Sequence, residues 1–307
     1  MKSAAFAVTI PPVRHYDEIV VALSDGYPAY ARLWHPPPHG PPGATRQRAG
    51  GLRGAVLYQH GIQSHCGWYE TSPARLAEAG FAVLQVDRRG SGRNERDRGH
   101  AESAEQLIAD ATAARDELFR HTGLNEYHVV GVSWGGKLAV AAHAAEPIGV
   151  KSLSLVTPGL FPRIGVSKER ATQIGFAMLY EPHRAFDIPL NEPELFTADP
   201  NWQEFFRTDP LTLRRCTAGF YLASRRMDRL AAKLPEARPV PIHLFLAGDE
   251  RIVDNEKTTA FIKKLGWPGS RITTHETARH SLEFEACSKV FLQELVSFVE
   301  DVSRSAP

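Results

Sequence analysis

Short apolar runs alternate along most of this chain with longer segments in which apolar residues recur every three or four positions. The short runs predict strands at 18–23, 29–34, 54–59, 81–86, 127–130, 152–156, 240–246 and 271–274. The longer segments predict helices at 73–79, 101–121, 134–146, 255–265 and 282–302. The first two strands are separated only by a turn and predict an antiparallel hairpin. Together these elements predict an α/β fold, with a mostly parallel, eight-stranded sheet and helices on both faces.

Two stretches depart from this alternation. Residues 35–51 are rich in Pro and Gly and predict a mobile surface loop without chemistry. Residues 157–239 are rich in prolines and aromatics, and their predicted helices, 164–180 and 209–233, have no strand between them. We interpret 157–239 as a helical lid inserted over a core formed by 1–156 and 240–307. The alternative is that this stretch is simply more core.

The composition narrows the class of protein. The 307 residues suffice for one large domain with an insertion, and 43% apolar and 23% charged residues are typical of soluble globular proteins. Because 36 Lys and Arg balance 35 Asp and Glu, no nucleic-acid partner is expected. Three dispersed cysteines show neither metal-ligand spacing nor a disulfide framework, which favours a reducing, cytoplasmic location. Residues 1–10 contain one lysine and only a short apolar stretch, which does not match a signal peptide. No run of about 18 apolar residues predicts a membrane span.

The most informative motif is G-V-S-W-G at 131–135, which lies between a predicted strand and a predicted helix. In that context G-x-S-x-G forms a sharp turn that needs small residues at 131 and 135. The turn strains the backbone of Ser133 and projects its hydroxyl above the sheet. The backbone N–H of Trp134, at the start of the helix, can then face an oxyanion.

A serine hydroxyl needs a base to accept its proton and an acid to orient that base. The motif predicts the chain order serine, acid, histidine. His280 alone among the histidines lies in the loop before the last predicted helix, and it is the expected base. The acid should follow the strand at 240–246, where Asp249 and Glu250 are adjacent and spacing alone does not separate them. Asp254 in the same loop is expected to cap the next helix.

Two other loops follow predicted strands at the same edge of the sheet. The sequence H-G-I at 60–62 allows close backbone approach, so the N–H of Ile62 is the expected second oxyanion donor. The sequence D-R-R-G-S-G-R at 87–93 is basic and rich in glycine, but it matches neither G-x-x-x-x-G-K-[ST] nor G-x-G-x-x-G. We interpret it as a structural loop that braces the turn at Ser133.

In combination these motifs resemble the α/β-hydrolase superfamily. The similarity is greatest to the branch of monoacylglycerol lipases, lysophospholipases and serine aminopeptidase-like hydrolases. The resemblance implies Ser133 as nucleophile, His280 as base, and the N–H groups of Ile62 and Trp134 as the oxyanion hole.

The resemblance also bears on the acid. The sequence R-I-V-D at 251–254 fits the end of the branch's acid-loop pattern. This match implies Glu250 in the place where that branch commonly has its catalytic aspartate, with Asp249 as the alternative.

We therefore expect a serine hydrolase that cleaves carboxylic esters through an acyl-enzyme, without metal or organic cofactor. The expected substrate is a small molecule with an apolar acyl group, such as a monoacylglycerol or a lysophospholipid. An acyltransferase, a peptidase or another acyl or C–C bond hydrolase could use the same triad. A non-catalytic ligand-binding protein of this fold is the other alternative. The sequence leaves the oligomeric state open.

Overall fold

The computed structural model describes residues 16–37 and 51–305 of the chain. Its strands are β1 Tyr16–Ala22, β2 Pro28–Trp34, β3 Gly54–Gln59, β4 Phe81–Val86, β5 Tyr127–Val132, β6 Val150–Val156, β7 Ala185–Asp187, β8 Arg215–Thr217, β9 Ile242–Ala247 and β10 Arg271–His275. Its helices are α1 Thr71–Glu78, α2 Ala104–Thr122, α3 Trp134–Ala145, α4 Lys168–Tyr180, α5 Pro200–Thr208, α6 Ala218–Ala231, α7 Asn255–Leu265 and α8 Ser288–Arg304. The predicted loop at 35–51 lies largely outside the described residues.

Eight of the described strands form one sheet in the order β1-β2-β4-β3-β5-β6-β9-β10. The pairs β1–β2 and β2–β4 are antiparallel, and the other neighbouring pairs are parallel. The predicted fold class and the predicted first hairpin are both confirmed. Because β3, β4, β5 and β9 run in parallel, the loops at their carboxyl ends meet at one edge of the sheet, where ligand sites of such folds lie.

The sheet is covered by helices on both faces. Along β3, Ala55 and Leu57 belong to one apolar cluster, whereas Val56 and Tyr58 belong to another. The first cluster includes apolar residues of α2 and α3, and the second includes those of α1 and α8. This alternation explains why the central strands read as continuous apolar runs, since both of their faces are buried.

Residues 157–239 contain helices α4, α5 and α6, but also a short antiparallel pair, β7–β8, that the apolar pattern did not predict. The helix predicted at 209–233 begins only at Ala218. Pro210 lacks a backbone N–H, and Arg215–Thr217 pairs with Ala185–Asp187 instead of coiling. The division into a core and a lid domain stays a prediction.

None of the helices in the described part of the chain combines the length and the apolarity needed to cross a lipid bilayer.

Candidate active site

Ser133 lies at the sharp turn between β5 and α3. Its φ is 52° and its ψ is −121°, a positive φ that costs free energy for a residue with a side chain. Its carbonyl oxygen accepts hydrogen bonds from the N–H groups of Gly136, at 2.9 Å, and Gly159, at 2.7 Å. The turn therefore holds Ser133 in the strained conformation that the motif predicts.

The glycines of the motif are required by close packing. A Cβ added at Gly131 would lie 2.7 Å from the Cα of Gly136. A Cβ added at Gly135 would lie 2.2 Å from the carbonyl oxygen of Gln59 at the end of β3. Both distances are too short for any side chain. Gly135 thus allows the turn at Ser133 to press directly against the loop that follows β3.

His280 lies between Ser133 and Glu250 in one hydrogen-bonded chain. Its Nδ1 is 2.8 Å from the Glu250 carboxylate, and its Nε2 is 2.8 Å from the Ser133 Oγ. Because an ionised carboxylate can only accept, Nδ1 carries the proton and donates it, which leaves Nε2 to accept from the serine hydroxyl. The backbone of His280 is fixed by Thr157, whose hydroxyl donates to the His280 carbonyl oxygen at 2.8 Å.

Glu250 is buried, with its side chain 1% exposed. One carboxylate oxygen faces His280, and the other accepts from the N–H groups of Ile252, at 2.7 Å, and Val253, at 3.3 Å. Burial alone would raise the pKa of Glu250. The electrostatic interaction and hydrogen bond with His280, together with the two backbone donors, outweigh burial and lower that pKa below its usual value. Glu250 therefore remains an anion at neutral pH.

Within the described part of the chain, the Asp249 carboxylate forms no ion pair with His280. Its carboxylate is 43% exposed and forms ion pairs with Arg251, at 2.8 Å, and Arg279, at 3.3 Å. Asp254 accepts from the N–H of Lys257 as the N-cap of α7, as its sequence position predicts. Of the carboxylates in this loop, the structure brings Glu250 to the histidine.

The two expected oxyanion donors flank Ser133. Trp134 is the first residue of α3, and Gly61, which precedes Ile62, lies so close that a Cβ there would be 3.8 Å from the Ser133 Oγ. In the described ranges, the backbone N–H groups of Ile62 and Trp134 donate to no protein acceptor. A helix N-terminus and a free N–H on the neighbouring loop are suited to bind negative charge beside this hydroxyl.

The loop at 87–93 is tied into the core. Asp87 accepts from the N–H groups of Cys66, at 2.7 Å, and Arg93, at 2.9 Å. The buried Arg89 forms ion pairs with the buried Asp110, at 2.7 Å, and with the exposed Asp25, at 3.0 Å. These contacts agree with the interpretation of a structural loop, since its polar groups are used within the protein.

Several residues near the site were not inferred from the sequence. Asp209, which follows α5, accepts from the ring N–H groups of His65, at 2.9 Å, and Trp68, at 2.8 Å. The ring of Phe196 lies against that of His280, with centroids 6.0 Å apart. These contacts link positions more than 80 residues apart, so no local motif could reveal them.

One cluster of possible metal ligands occurs among the described residues. His100, Glu102 and His183 each place a ligand atom within 4.8 Å of the others. However, the two histidine rings are stacked, with centroids 3.9 Å apart and planes inclined by 20°. One ion cannot lie in both ring planes in that arrangement. The cluster shares no hydrogen bond with Ser133, Glu250 or His280.

The family model, a sequence relative and two solved structures that match this chain are all hydrolases. The family model for serine aminopeptidase, S33, matches residues 50–286. A monoacylglycerol lipase of Mycolicibacterium smegmatis is 22% identical over 258 residues, which cover 80% of this chain and 88% of the relative. The structure of a Paleococcus ferrophilus monoacylglycerol lipase has a TM-score of 0.77 and 20% identity, over 89% of this chain and 99% of that one. A thermostable carboxyl esterase from Bacillus coagulans has a TM-score of 0.78 and 15% identity, over 95% of this chain and 100% of the other. At such identities the structural likeness shows the fold.

Proposed function

The chain belongs to the serine aminopeptidase S33 family, and from that premise we propose that it is a serine hydrolase that cleaves carboxylic esters through an acyl-enzyme. The observation that carries the proposal is the unbroken chain of hydrogen bonds from Ser133 through His280 to Glu250, with both links at 2.8 Å. This geometry is what a weak hydroxyl nucleophile needs at neutral pH.

In the proposed mechanism, Ser133 attacks the ester carbonyl carbon while His280 accepts the hydroxyl proton at Nε2. The imidazolium that forms is stabilised by the Glu250 carboxylate. His280 then returns the proton to the oxygen of the leaving alcohol, and the acyl group stays on Ser133. A water molecule, deprotonated by His280, attacks the acyl carbon. The bond between this carbon and the Ser133 oxygen then breaks, His280 returns the proton to that oxygen, and the carboxylic acid leaves.

The negative charge of the tetrahedral intermediate is assigned to the N–H groups of Ile62 and Trp134. Neither donor has a protein acceptor among the described residues, so neither has to break a protein hydrogen bond to serve the oxyanion. Loss of one such donor typically costs about 10²–10³ in kcat.

We propose an ester with an apolar acyl chain, such as a monoacylglycerol or a lysophospholipid, as the substrate. The aromatic ring of Phe196 covers His280, which gives the site an apolar wall. Helix α4 exposes Phe176 by 63%, Leu179 by 73% and Tyr180 by 85%, and exposed apolar surface of this kind meets apolar partners. Two relatives named above are monoacylglycerol lipases, which supports the same substrate class.

The decisive variant is Ser133→Ala, tested on p-nitrophenyl esters of graded chain length, monooleoylglycerol and lysophosphatidylcholine. We expect hydrolysis of the esters by the native protein and a loss of about 10⁴-fold or more in kcat for the variant, because the nucleophile is gone. Ser154→Ala is the matched control, since the Ser154 hydroxyl is buried on β6 and has no hydrogen-bond partner. Substantial activity remaining in Ser133→Ala, or an equal loss in Ser154→Ala, would refute the proposal.

Further assays distinguish ester hydrolysis from peptidase activity, acyl transfer and non-catalytic binding. Prolyl p-nitroanilide tests peptidase activity, and glycerol or a thiol added to the ester assay reveals acyl transfer by its product. A fluorophosphonate probe tests the non-catalytic alternative. We expect the probe to label the native protein and Ser154→Ala but not Ser133→Ala, whereas a receptor with a misaligned serine would stay unlabelled.

A further inference from the structure

Within the described part of the chain, Arg88 is a buried cation that forms no ion pair with a carboxylate. It follows β4 and is only 8% exposed. The adjacent Asp87 attracts it electrostatically but forms no ion pair with it, and the undescribed residues contain neither Asp nor Glu. The adjacent Asp87 directs its carboxylate to backbone N–H groups instead. A buried, unpaired charge is costly, so its retention at this position needs a reason.

The guanidinium of Arg88 contacts both segments that flank Ser133. It donates to the carbonyl oxygens of Gly61, at 3.2 Å, and Ile62, at 2.8 Å. It also lies 4.6 Å from the centre of the Trp134 ring. The cation therefore touches the two residues whose backbone N–H groups we assign to the oxyanion hole.

The contact with Gly61 bears directly on the Ile62 donor. The carbonyl of Gly61 and the N–H of Ile62 belong to the same peptide group, which is planar and trans, so they point in opposite directions. A donor that fixes the Gly61 carbonyl therefore fixes the direction of the Ile62 N–H.

His60 supplies a second donor to that carbonyl. The N–H of Arg88 donates to the His60 Nε2 at 2.9 Å, and burial lowers the pKa of His60 to about 3. The neutral ring must therefore carry its proton on Nδ1, which donates to the Gly61 carbonyl at 2.8 Å. Two side chains thus hold one peptide plane, and Arg88 is the charged member of the pair.

A charged donor also changes the strength of the opposite N–H. Hydrogen bonds polarise one another in series, and charge-assisted bonds do so most. Burial lowers the pKa of Arg88 to about 10, so the guanidinium is still protonated at neutral pH. Its pull on the Gly61 carbonyl oxygen withdraws electron density from the amide and makes the Ile62 N–H a better donor.

We propose that Arg88 is a positioning residue that orients and polarises the Gly61–Ile62 peptide toward the reaction oxyanion. This inference rests on the function proposed above. It also accounts for the missing carboxylate, because the negative charge that Arg88 serves exists only while the tetrahedral intermediate exists. An interaction that strengthens in the transition state raises kcat rather than substrate affinity.

The test compares Arg88→Met, Arg88→Lys and Arg89→Met. Arg89 is the matched control because it is the next residue, is equally buried, and is neutralised by Asp25 and Asp110. Kinetics on p-nitrophenyl butyrate give kcat and KM. The inhibition constant of a trifluoromethyl ketone, which forms a tetrahedral oxyanion on the serine, reports how strongly the site binds that oxyanion without a leaving-group step.

Arg88→Met should weaken the Ile62 N–H donor without removing it, so kcat should fall less than on loss of the whole donor. We expect a decrease of about 10- to 100-fold. KM should change little, and the ketone should bind more weakly by a similar factor. Arg88→Lys should recover part of both losses because it restores a charged donor. Arg89→Met should lower the unfolding temperature while leaving kcat of the folded protein nearly unchanged.

Three outcomes would overturn the inference. They are an unchanged kcat in folded Arg88→Met, a lower kcat with unchanged ketone affinity, and an equal loss of kcat in Arg89→Met. If Arg88→Met does not fold, Arg88→Lys and Arg88→Gln replace it, and equal kcat in the charged and the neutral variant counts against the inference. The Ser133→Ala result stays separate, since it tests hydrolysis itself and does not depend on residue 88.

Discussion

At the scale of single residues, each member of the candidate triad is held by the backbone as well as by its neighbour. Ser133 is restrained through its carbonyl oxygen, Glu250 through two N–H donors, and His280 through the hydroxyl of Thr157. Such supports fix the reacting atoms before a substrate arrives, which reduces the entropy cost of reaching the transition state.

The choice between the two adjacent carboxylates gives a direct prediction. Glu250→Gln removes the charge that would stabilise the His280 imidazolium, so we expect kcat on p-nitrophenyl esters to fall about 10²- to 10⁴-fold. Asp249→Asn breaks only exposed ion pairs, so its kcat should stay close to that of the native protein. The reverse pattern would move the acid to residue 249.

The sequence could reveal Ser133 and His280 because each has a local signature, a strained turn and a loop before the last helix. It could not separate Asp249 from Glu250 by spacing. Neighbouring side chains leave the backbone in different directions, and only the path of the loop decides which one reaches the histidine. Arg88 had no signature at all, because its hydrogen-bond partners are backbone carbonyls on another loop.

At the scale of elements, the segment after α5 supports the loop that follows β3. Asp209 binds the rings of His65 and Trp68, and the N–H of Leu213 donates to the carbonyl of Gln63 at 2.9 Å. Burial would raise the pKa of Asp209, but the hydrogen bonds from the two rings and from the Leu211 N–H lower it below its usual value.

Asp209 therefore predicts a pH-dependent stability. Because the pKa in the folded state is lower than in the unfolded state, the stabilisation is fully present at neutral pH and is lost as the pH falls through the folded-state pKa. We expect Asp209→Asn to reduce the free energy of unfolding by about 2 kcal/mol at pH 7. The difference from the native protein should shrink below about pH 4, where the unfolded carboxylate begins to protonate.

Urea unfolding at a series of pH values measures this effect. Asp187→Asn is the control, since Asp187 forms an exposed ion pair with Arg215 in the same part of the chain. A deficit in Asp209→Asn that stays constant down to low pH would show that the loss arises from packing and not from charge.

The sequence located the elements of the central sheet well, because strands buried on both faces give strong apolar runs. Between 157 and 239 it located α4, but it missed α5 and the β7–β8 pair. Strands of three residues are too short to show alternation, and their pairing partner lies outside any local window. The helix predicted at 209–233 included both β8 and α6, because a strand as short as β8 shows no alternation.

At the scale of the whole molecule, the site exists only when the sheet is assembled. Ser133 and His280 are 147 positions apart in the chain, and Glu250 comes from a third loop. Because the three loops are carried by β5, β9 and β10, correct strand order is a precondition for the hydrogen-bonded chain. The alternation of elements predicted the fold class and the β1–β2 hairpin, but no local pattern indicated the other strand neighbours.

We therefore expect reactivity and global structure to be lost together. Labelling by a fluorophosphonate probe and intrinsic tryptophan fluorescence should show the same midpoint in a urea titration, as in a cooperative transition. Earlier loss of labelling would mean that a loop of the site, or the 157–239 segment, opens before the sheet unfolds.

The glycine contacts at the turn also bear on protein engineering. Since residues 131 and 135 face backbone atoms at distances no side chain tolerates, saturation libraries at these positions will return almost only the parental amino acid. Diversity intended to alter the surroundings of the histidine is better placed around Phe196, whose ring contacts that of His280. Residues 131 and 135 then stay unchanged, and selection acts on the residues around Phe196.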